Sequence, residues 1–337
     1  MAKGNISQAR GFANYEPLFE SSLSVGNAVT IGLNLYKANF KSYLGISAIA
    51  TGWILAAVII SSLVAFLLAQ TNGQNSILWL LLVACIVVLL PYGIAKYIAN
   101  SALISRLAFF QLQGIEEPLQ TSQRFIRSRL WNFFFAAILL AFLWFGIFMA
   151  TYFTAAIAIG IIAAVTIGIG FTTSGGEPGI LSILLVTILS IAISVLFVLV
   201  LLWVGARFFL FEVPLSIEEN VGAAKTISRS WSLSAGDVWR IVMITGVALL
   251  LGLPLQFVSQ LLIATIQLAI MTTVEENSTE YVSLMLLLSY LIGLLISIIF
   301  MPFWQSLKSV VYFHLRNRRE GLGLRLRDRP STTSDSL

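Results

Sequence analysis

Long apolar runs alternate with short polar or charged segments along the chain. The apolar runs cover residues 43–69, 77–114, 132–171, 180–211, 241–274 and 282–304. Each run reaches the roughly 20 residues that a helix needs to cross a bilayer. The pattern therefore predicts an all-α polytopic membrane protein with about six transmembrane helices.

The third run, from Asn132 to Phe171, is longer than one span requires and contains no charged residue. Arg129 and Arg207 are expected on the same side of the membrane, so an even number of crossings should separate them. Two crossings leave surplus apolar residues in this run. The sequence leaves open whether residues 159–171 form a bent helix, a re-entrant segment or a helical extension.

Three polar segments begin units of similar pattern. The triplet Ile-Glu-Glu at residues 115–117 recurs at residues 217–219, and one cation closes each unit, namely Arg106, Arg207 and Lys308. Similarity at a regular interval indicates repeated structural units. We predict three repeated hairpins of two spans, each preceded by a cytosolic amphipathic helix, the first of which is expected over residues 24–42.

This repeat divides the chain into five parts. They are a cytosolic leader at 1–23, repeats at 24–115, 116–215 and 216–320, and a basic and then polar cytosolic tail at 321–337.

The charges are few and lie on one side of the predicted bundle. The chain is 58% hydrophobic and 10% charged. It therefore has too few polar residues to cover a water-exposed surface. The predicted outer turns at 70–76, 172–179 and 272–281 contain no Lys or Arg. The positive-inside rule then predicts cytosolic termini in a bacterial inner membrane, whether cytoplasmic or another internal one.

The polar segments also contain helix-capping signals. Ser216 followed by Glu219 matches a capping box, and Glu117 is the equivalent residue of the preceding unit. Carboxylates in a first helical turn are stabilised by the helix dipole. We therefore interpret Ser216, Glu219 and Glu117 as helix caps and not as catalytic or metal-binding groups.

No reaction centre is recognisable in the sequence. The chain has one His and one Cys, and the predicted spans carry no carboxylate at mid-membrane depth. It also lacks a phosphate-binding Gly-rich loop and a nucleophile elbow. These observations predict a protein that is not an enzyme, with no catalytic residue, no cofactor, no metal site and no nucleic-acid partner.

Four cations lie near the cytosolic ends of the spans: Lys96, Arg106, Arg207 and Lys308. One interpretation is that their long side chains reach the interface and fix the topology. The alternative is that they form a shared basic pocket for anionic lipid headgroups or phosphate. The expected partners are membrane lipids, including anionic ones, and a membrane-protein partner, while the oligomeric state is not determined by the sequence.

Two stretches resemble a known family. They are SIEENVGAAKTISRSWSLSAGDVWRI at Ser216 to Ile241 and VVYFHLRNRREGLGL at Val310 to Leu324. Together with LSVGNAVTIGLNLYKANFKSYL near the N-terminus, they resemble the bacterial glycerophosphoryl diester phosphodiesterase membrane-domain family. In that family the membrane domain is sometimes fused to a catalytic barrel. No soluble stretch here is long enough for such a barrel, so the resemblance implies a membrane domain without the catalytic domain.

The sequence supports two classes of function. The first is a non-enzymatic scaffold, assembly or lipid-interacting role at the cytosolic face, indicated by basic segments without a reaction centre. The alternative is a transporter or permeation path for a small or lipidic substrate. It is indicated by the internal repeat and by Pro91, Pro254 and Pro302 within apolar runs.

Overall fold

The computed structural model describes residues 24–71, 74–174, 180–271 and 278–321. The predicted leader and most of the predicted tail lie outside the described residues. Six long helices are present in the described part of the chain. They are α2 (Phe40–Gln70), α3 (Ser76–Leu112), α5 (Leu130–Ser174), α6 (Ile180–Phe208), α9 (Val238–Met271) and α10 (Thr279–Glu320).

Four shorter helices lie between the long ones or precede them. They are α1 (Val25–Ala38), α4 (Leu119–Ser128), α7 (Val213–Ile217) and α8 (Ala223–Ser234). The six long helices are long and apolar enough to cross a membrane. The prediction of an all-α, multi-pass membrane protein with six spans is therefore confirmed.

Helix α5 narrows the alternatives at residues 159–171. It runs without interruption for 45 residues, from Leu130 to Ser174. At 1.5 Å per residue this is about 68 Å, well beyond a hydrocarbon core of about 30 Å. A continuous helix excludes the re-entrant alternative, so the surplus apolar residues belong to a bent or an extended helix.

Helix α3 contains one irregular turn. It is α-helical over Ser76–Ala84 and Leu90–Leu112, with a π-helical stretch at Cys85–Leu89 between them. Pro91 follows after Leu90, and it lacks the N–H that would continue the regular hydrogen-bond ladder. The wider turn accommodates the proline without ending the helix.

The long helices pack in consecutive pairs, α2 with α3, α5 with α6, and α9 with α10. Between pairs, α3 contacts α5, α6 contacts α9, and α10 contacts both α2 and α3. The three pairs therefore close into a ring. The threefold sequence repeat itself stays a prediction.

The short helices lie at one end of this ring, which we call the basic end. Helix α1 packs on α9 and α10, α4 packs on α3, and α8 packs on α5 and α6. Buried apolar side chains concentrate here, among them Phe109, Phe133, Leu210 and Phe313. Towards the opposite end the long helices expose apolar side chains, as expected for lipid contact.

The predicted first amphipathic helix is divided in two. Ser24 caps α1 by accepting a hydrogen bond from the Asn27 backbone N–H at 3.1 Å, and α1 ends before Asn39. Its buried side includes Ala28, Ile31 and Leu35, and these residues face the helix bundle. The α1 helix is thus docked on the protein by this side.

The capping predictions at the other two segments are wrong. Ser216 lies inside α7, where its Oγ donates to the Val213 carbonyl at 2.8 Å, and Glu219 is exposed ahead of α8. Gly222 occupies the N-cap of α8, without a side-chain cap. At α4 the N-cap is Pro118, also without a side-chain cap. Glu117 instead binds Arg106, because a buried guanidinium offers a stronger partner than backbone N–H groups.

Candidate functional site

The most deeply buried carboxylate among the described residues is Glu212, between α6 and α7, with 4% of its surface exposed. It forms an ion pair with Lys308 of α10 and accepts a hydrogen bond from Gln305 Nε2 at 3.0 Å. Ser101 of α3 donates to its other oxygen at 3.4 Å. Glu212 thus joins α3 to α10 through these contacts.

Arg106 of α3 is buried and fully engaged by other protein groups. Its Nε and Nη2 donate to the two Glu117 oxygens at 2.8 and 2.6 Å, and its Nη1 donates to the Ser216 carbonyl at 2.8 Å. The ring of Phe125 lies 3.9 Å from the guanidinium carbon. A bidentate pair of this kind is geometrically specific. Arg106 therefore fixes α4 and α7 against α3.

A second ion-pair cluster joins α8 to α10 around Glu218. Arg229 Nε donates to Glu218 at 3.1 Å, and the same guanidinium pairs with Glu320. Tyr312 also donates its hydroxyl proton to Glu218. Burial lowers the pKa of Arg229, but Glu218 and Glu320 raise it by more, so the pKa lies above its ordinary value. This cluster holds the last turns of α10 in place.

Arg129, at the start of α5, binds the segment that follows α7. Its Nη1 donates to the Glu218 carbonyl at 2.6 Å. Burial lowers the pKa of Arg129, Glu219 opposes that change, and Arg106 adds to it. A guanidinium pKa remains far above neutrality after such changes, so Arg129 stays charged.

Arg207 lies between two tryptophans at the end of α6. Its guanidinium carbon is 4.9 Å from the Trp203 ring centroid and 4.6 Å from that of Trp231. Its Nη1 donates to the Trp231 carbonyl at 3.2 Å. Ser230 in turn donates to the Arg207 carbonyl at 2.8 Å. These contacts attach α8 to α6.

One cavity at the basic end has a different character. It has a volume of about 400 Å³, is open on one side, and is lined by α2, α3, α4 and the first residue of α5. We call it the basic cavity, and its lining has three kinds of side chain. They are the cations Lys96, Arg124 and Arg127, the carboxamides Asn100, Gln120 and Gln123, and the apolar residues Ile49, Trp53, Ala99, Leu103, Ile126 and Leu130.

Local structure places the three cations. Arg124 and Arg127 are three residues apart on α4 and therefore share a helix face, while buried Ile126 packs towards the core. Lys96 Nζ lies 5.5 Å from the ring centroids of both Trp53 and Tyr92. Cation–π attraction to these two rings holds the ammonium at the cavity wall.

The three cations differ from Arg106 and Lys308 in their partners. In the described part of the chain, no carboxylate lies within ion-pair distance of Lys96, Arg124 or Arg127. Arg106 and Lys308, by contrast, each have one. The basic cavity thus concentrates three positive charges that form no ion pair with the described residues.

Of the four cations predicted to form a pocket, the basic cavity contains only Lys96. Arg106, Arg207 and Lys308 are instead held by Glu117, the Trp231 carbonyl and Glu212. Sequence reasoning did not single out Arg124 and Arg127. Their spacing on the strongly amphipathic α4 was the available signal.

Side-chain clusters suited to metals are lacking in the described ranges, where no group of three or more His, Cys, Asp or Glu could hold an ion. Comparisons with protein families, curated proteins and solved structures find no match to this chain. The family resemblance therefore rests on the sequence motifs at Ser216 to Ile241 and Val310 to Leu324 and on the similar stretch near the N-terminus.

Proposed function

We propose that this protein is a non-enzymatic membrane protein that binds anionic lipid headgroups at its basic end, on the cytosolic side. The observation that carries the proposal is the basic cavity. Lys96, Arg124 and Arg127 line one concave site without a carboxylate partner in the described structure. A basic pocket between membrane helices is a recurrent site for anionic headgroups.

The position of the cavity supports a ligand from the membrane. Two of its lining residues, Ile49 and Trp53, belong to α2 and are 58% and 38% exposed. They continue into the lipid-facing surface of that span, so an acyl chain can lie against α2 while its headgroup occupies the cavity. Tryptophan is also typical of the membrane–water interface.

The test is lipid binding by a variant that combines Lys96→Gln, Arg124→Gln and Arg127→Gln. The purified chain is mixed with phosphatidylglycerol, and bound lipid is counted by native mass spectrometry. Each cation near an anionic surface contributes about 1 kcal/mol, so the variant should bind phosphatidylglycerol about 100-fold more weakly.

A matched control removes the same charge elsewhere at the basic end. It combines Lys37→Gln, Lys41→Gln and Lys225→Gln, three exposed residues outside the cavity lining. This variant should bind phosphatidylglycerol within about threefold of the parent, because diffuse surface charge is screened by salt. Equal losses in both variants would mean that net charge, and not the cavity, attracts the lipid.

A further inference from the structure

We infer that the basic cavity takes a lipid whose headgroup carries two phosphates joined by a short hydroxylated linker, the chemistry of cardiolipin. This inference rests on the proposed function and names the class of its ligand. It follows from three properties of the cavity, which are its volume, the placement of its charges and its carboxamides.

The volume exceeds the needs of one phosphate. At about 400 Å³ the cavity falls within the roughly 300–1,000 Å³ typical of sites for whole small molecules. A single phosphate would leave much of this space to water and would reach only part of the lining. A headgroup with two phosphates spans more of the site.

The positive charges come from two different helices. Lys96 belongs to α3 and is held by the rings of Trp53 and Tyr92, while Arg124 and Arg127 belong to α4. One phosphate can therefore pair with the ammonium and the other with the two guanidinium groups, which bind phosphate oxygens in a fork geometry. Three cations also match two negative charges better than one.

The carboxamides supply the third property. Asn100, Gln120 and Gln123 line the same cavity, and each carries both a donor and an acceptor group. Such groups hydrogen-bond a hydroxyl in either direction, which suits a glycerol linker between the phosphates. Asn100 is held in position because its Nδ2 donates to the Lys96 carbonyl at 2.8 Å.

The experiment compares tetraoleoyl cardiolipin with dioleoyl phosphatidylglycerol, at equal phosphate concentration, by native mass spectrometry of the full chain. Cardiolipin should bind at least about tenfold more tightly per phosphate, because its second phosphate binds as a linked group at high effective concentration. The Lys96→Gln, Arg124→Gln, Arg127→Gln variant should lose this preference. The Arg124→Lys, Arg127→Lys variant, which keeps the charge, should retain cardiolipin binding above the neutral variant.

The alternative results separate the two proposals. Equal binding of both lipids per phosphate, lost in the neutral variant, would overturn the two-phosphate ligand while the proposed function stands. Binding that is unchanged in the neutral variant would overturn both.

A third arm adds inorganic pyrophosphate in large excess. Full displacement of cardiolipin by this soluble anion would show that the site selects a free diphosphate instead of a lipid. Equal melting temperatures of parent and variants verify that the loss is local.

Discussion

At the scale of single residues, the chemistry of the basic end is decided by which charges have partners. Glu212 and Lys308 meet in a buried contact, and Arg106 meets Glu117 in another. Lys96 is held by aromatic rings and has no carboxylate among the described residues. The paired cations stabilise the fold, whereas the cation without a carboxylate remains available to an anion.

The Glu212→Gln substitution tests the structural role of the buried pair. The substitution leaves Lys308 charged in a largely buried position. Removing one partner of a buried ion pair lowers the free energy of unfolding by about 3 kcal/mol. We expect a lower midpoint of thermal unfolding in detergent, measured by intrinsic fluorescence. Adding Lys308→Met to the same chain should recover part of the loss.

Glu116→Gln is the matched control for this prediction, because Glu116 is exposed at the same end of the molecule. Its midpoint should stay close to that of the parent. If Glu212→Gln unfolded at the same temperature as this control, the Glu212–Lys308 pair would not stabilise the bundle.

At the scale of elements, close backbone approach determines how the short helices dock. A Cβ added at Gly32 of α1 would lie 3.2 Å from the Leu307 Cα of α10. Tyr36 reinforces this crossing by donating its hydroxyl proton to the Ile299 carbonyl at 2.9 Å. Helix α1 therefore depends on a small residue where it crosses α10.

Gly32→Ala should weaken this crossing, although alanine is the better helix former. The added methyl group meets backbone atoms that cannot rotate away, and overpacking of this kind costs about 1–3 kcal/mol. Hydrogen exchange of α1 should become faster, as followed by mass spectrometry. In the same helix, Gly26 has no atom within 4 Å of an added Cβ, so Gly26→Ala should leave exchange unchanged or slow it. Similar exchange in both variants would count against close packing at Gly32.

At the scale of the whole molecule, the uneven distribution of charge predicts orientation. The paired and unpaired cations of the described residues lie at the basic end, while the opposite ends of the spans expose apolar side chains. The positive-inside rule predicts that the basic end lies in the cytosol. Lipids of the cytosolic leaflet would then reach the basic cavity.

Cysteine accessibility tests this orientation. In a Cys85→Ser background, Ser128→Cys places a thiol on exposed α4, and Gln74→Cys places one in the segment between α2 and α3. A membrane-impermeant maleimide added to intact bacterial cells should label the Gln74→Cys variant alone. Inverted vesicles should give the reverse result. Labelling of Ser128→Cys in intact cells would contradict a cytosolic basic end.

The sequence by itself determined the class of the protein and the number of spans. Membrane crossing depends on the length and composition of continuous segments, which are local properties. For the same reason the one-sided distribution of cations could be predicted from the sequence. The continuity of α5 through residues 159–171 could not be predicted from the sequence. An apolar run without charge fits a continuous helix or a re-entrant segment equally well.

The tertiary structure decided which polar side chains meet. Glu212 binds Lys308 and not the nearby Arg207, and Glu117 binds Arg106 and does not cap α4. Both carboxylates lie in connections between helices and both cations lie on helices, so their pairing depends on how the helices and connections pack and not on sequence spacing. The basic cavity arises for the same reason. Lys96 and Arg124 are distant in sequence, and only the docking of α4 on α3 brings them to one site where three cations lack carboxylate partners among the described residues.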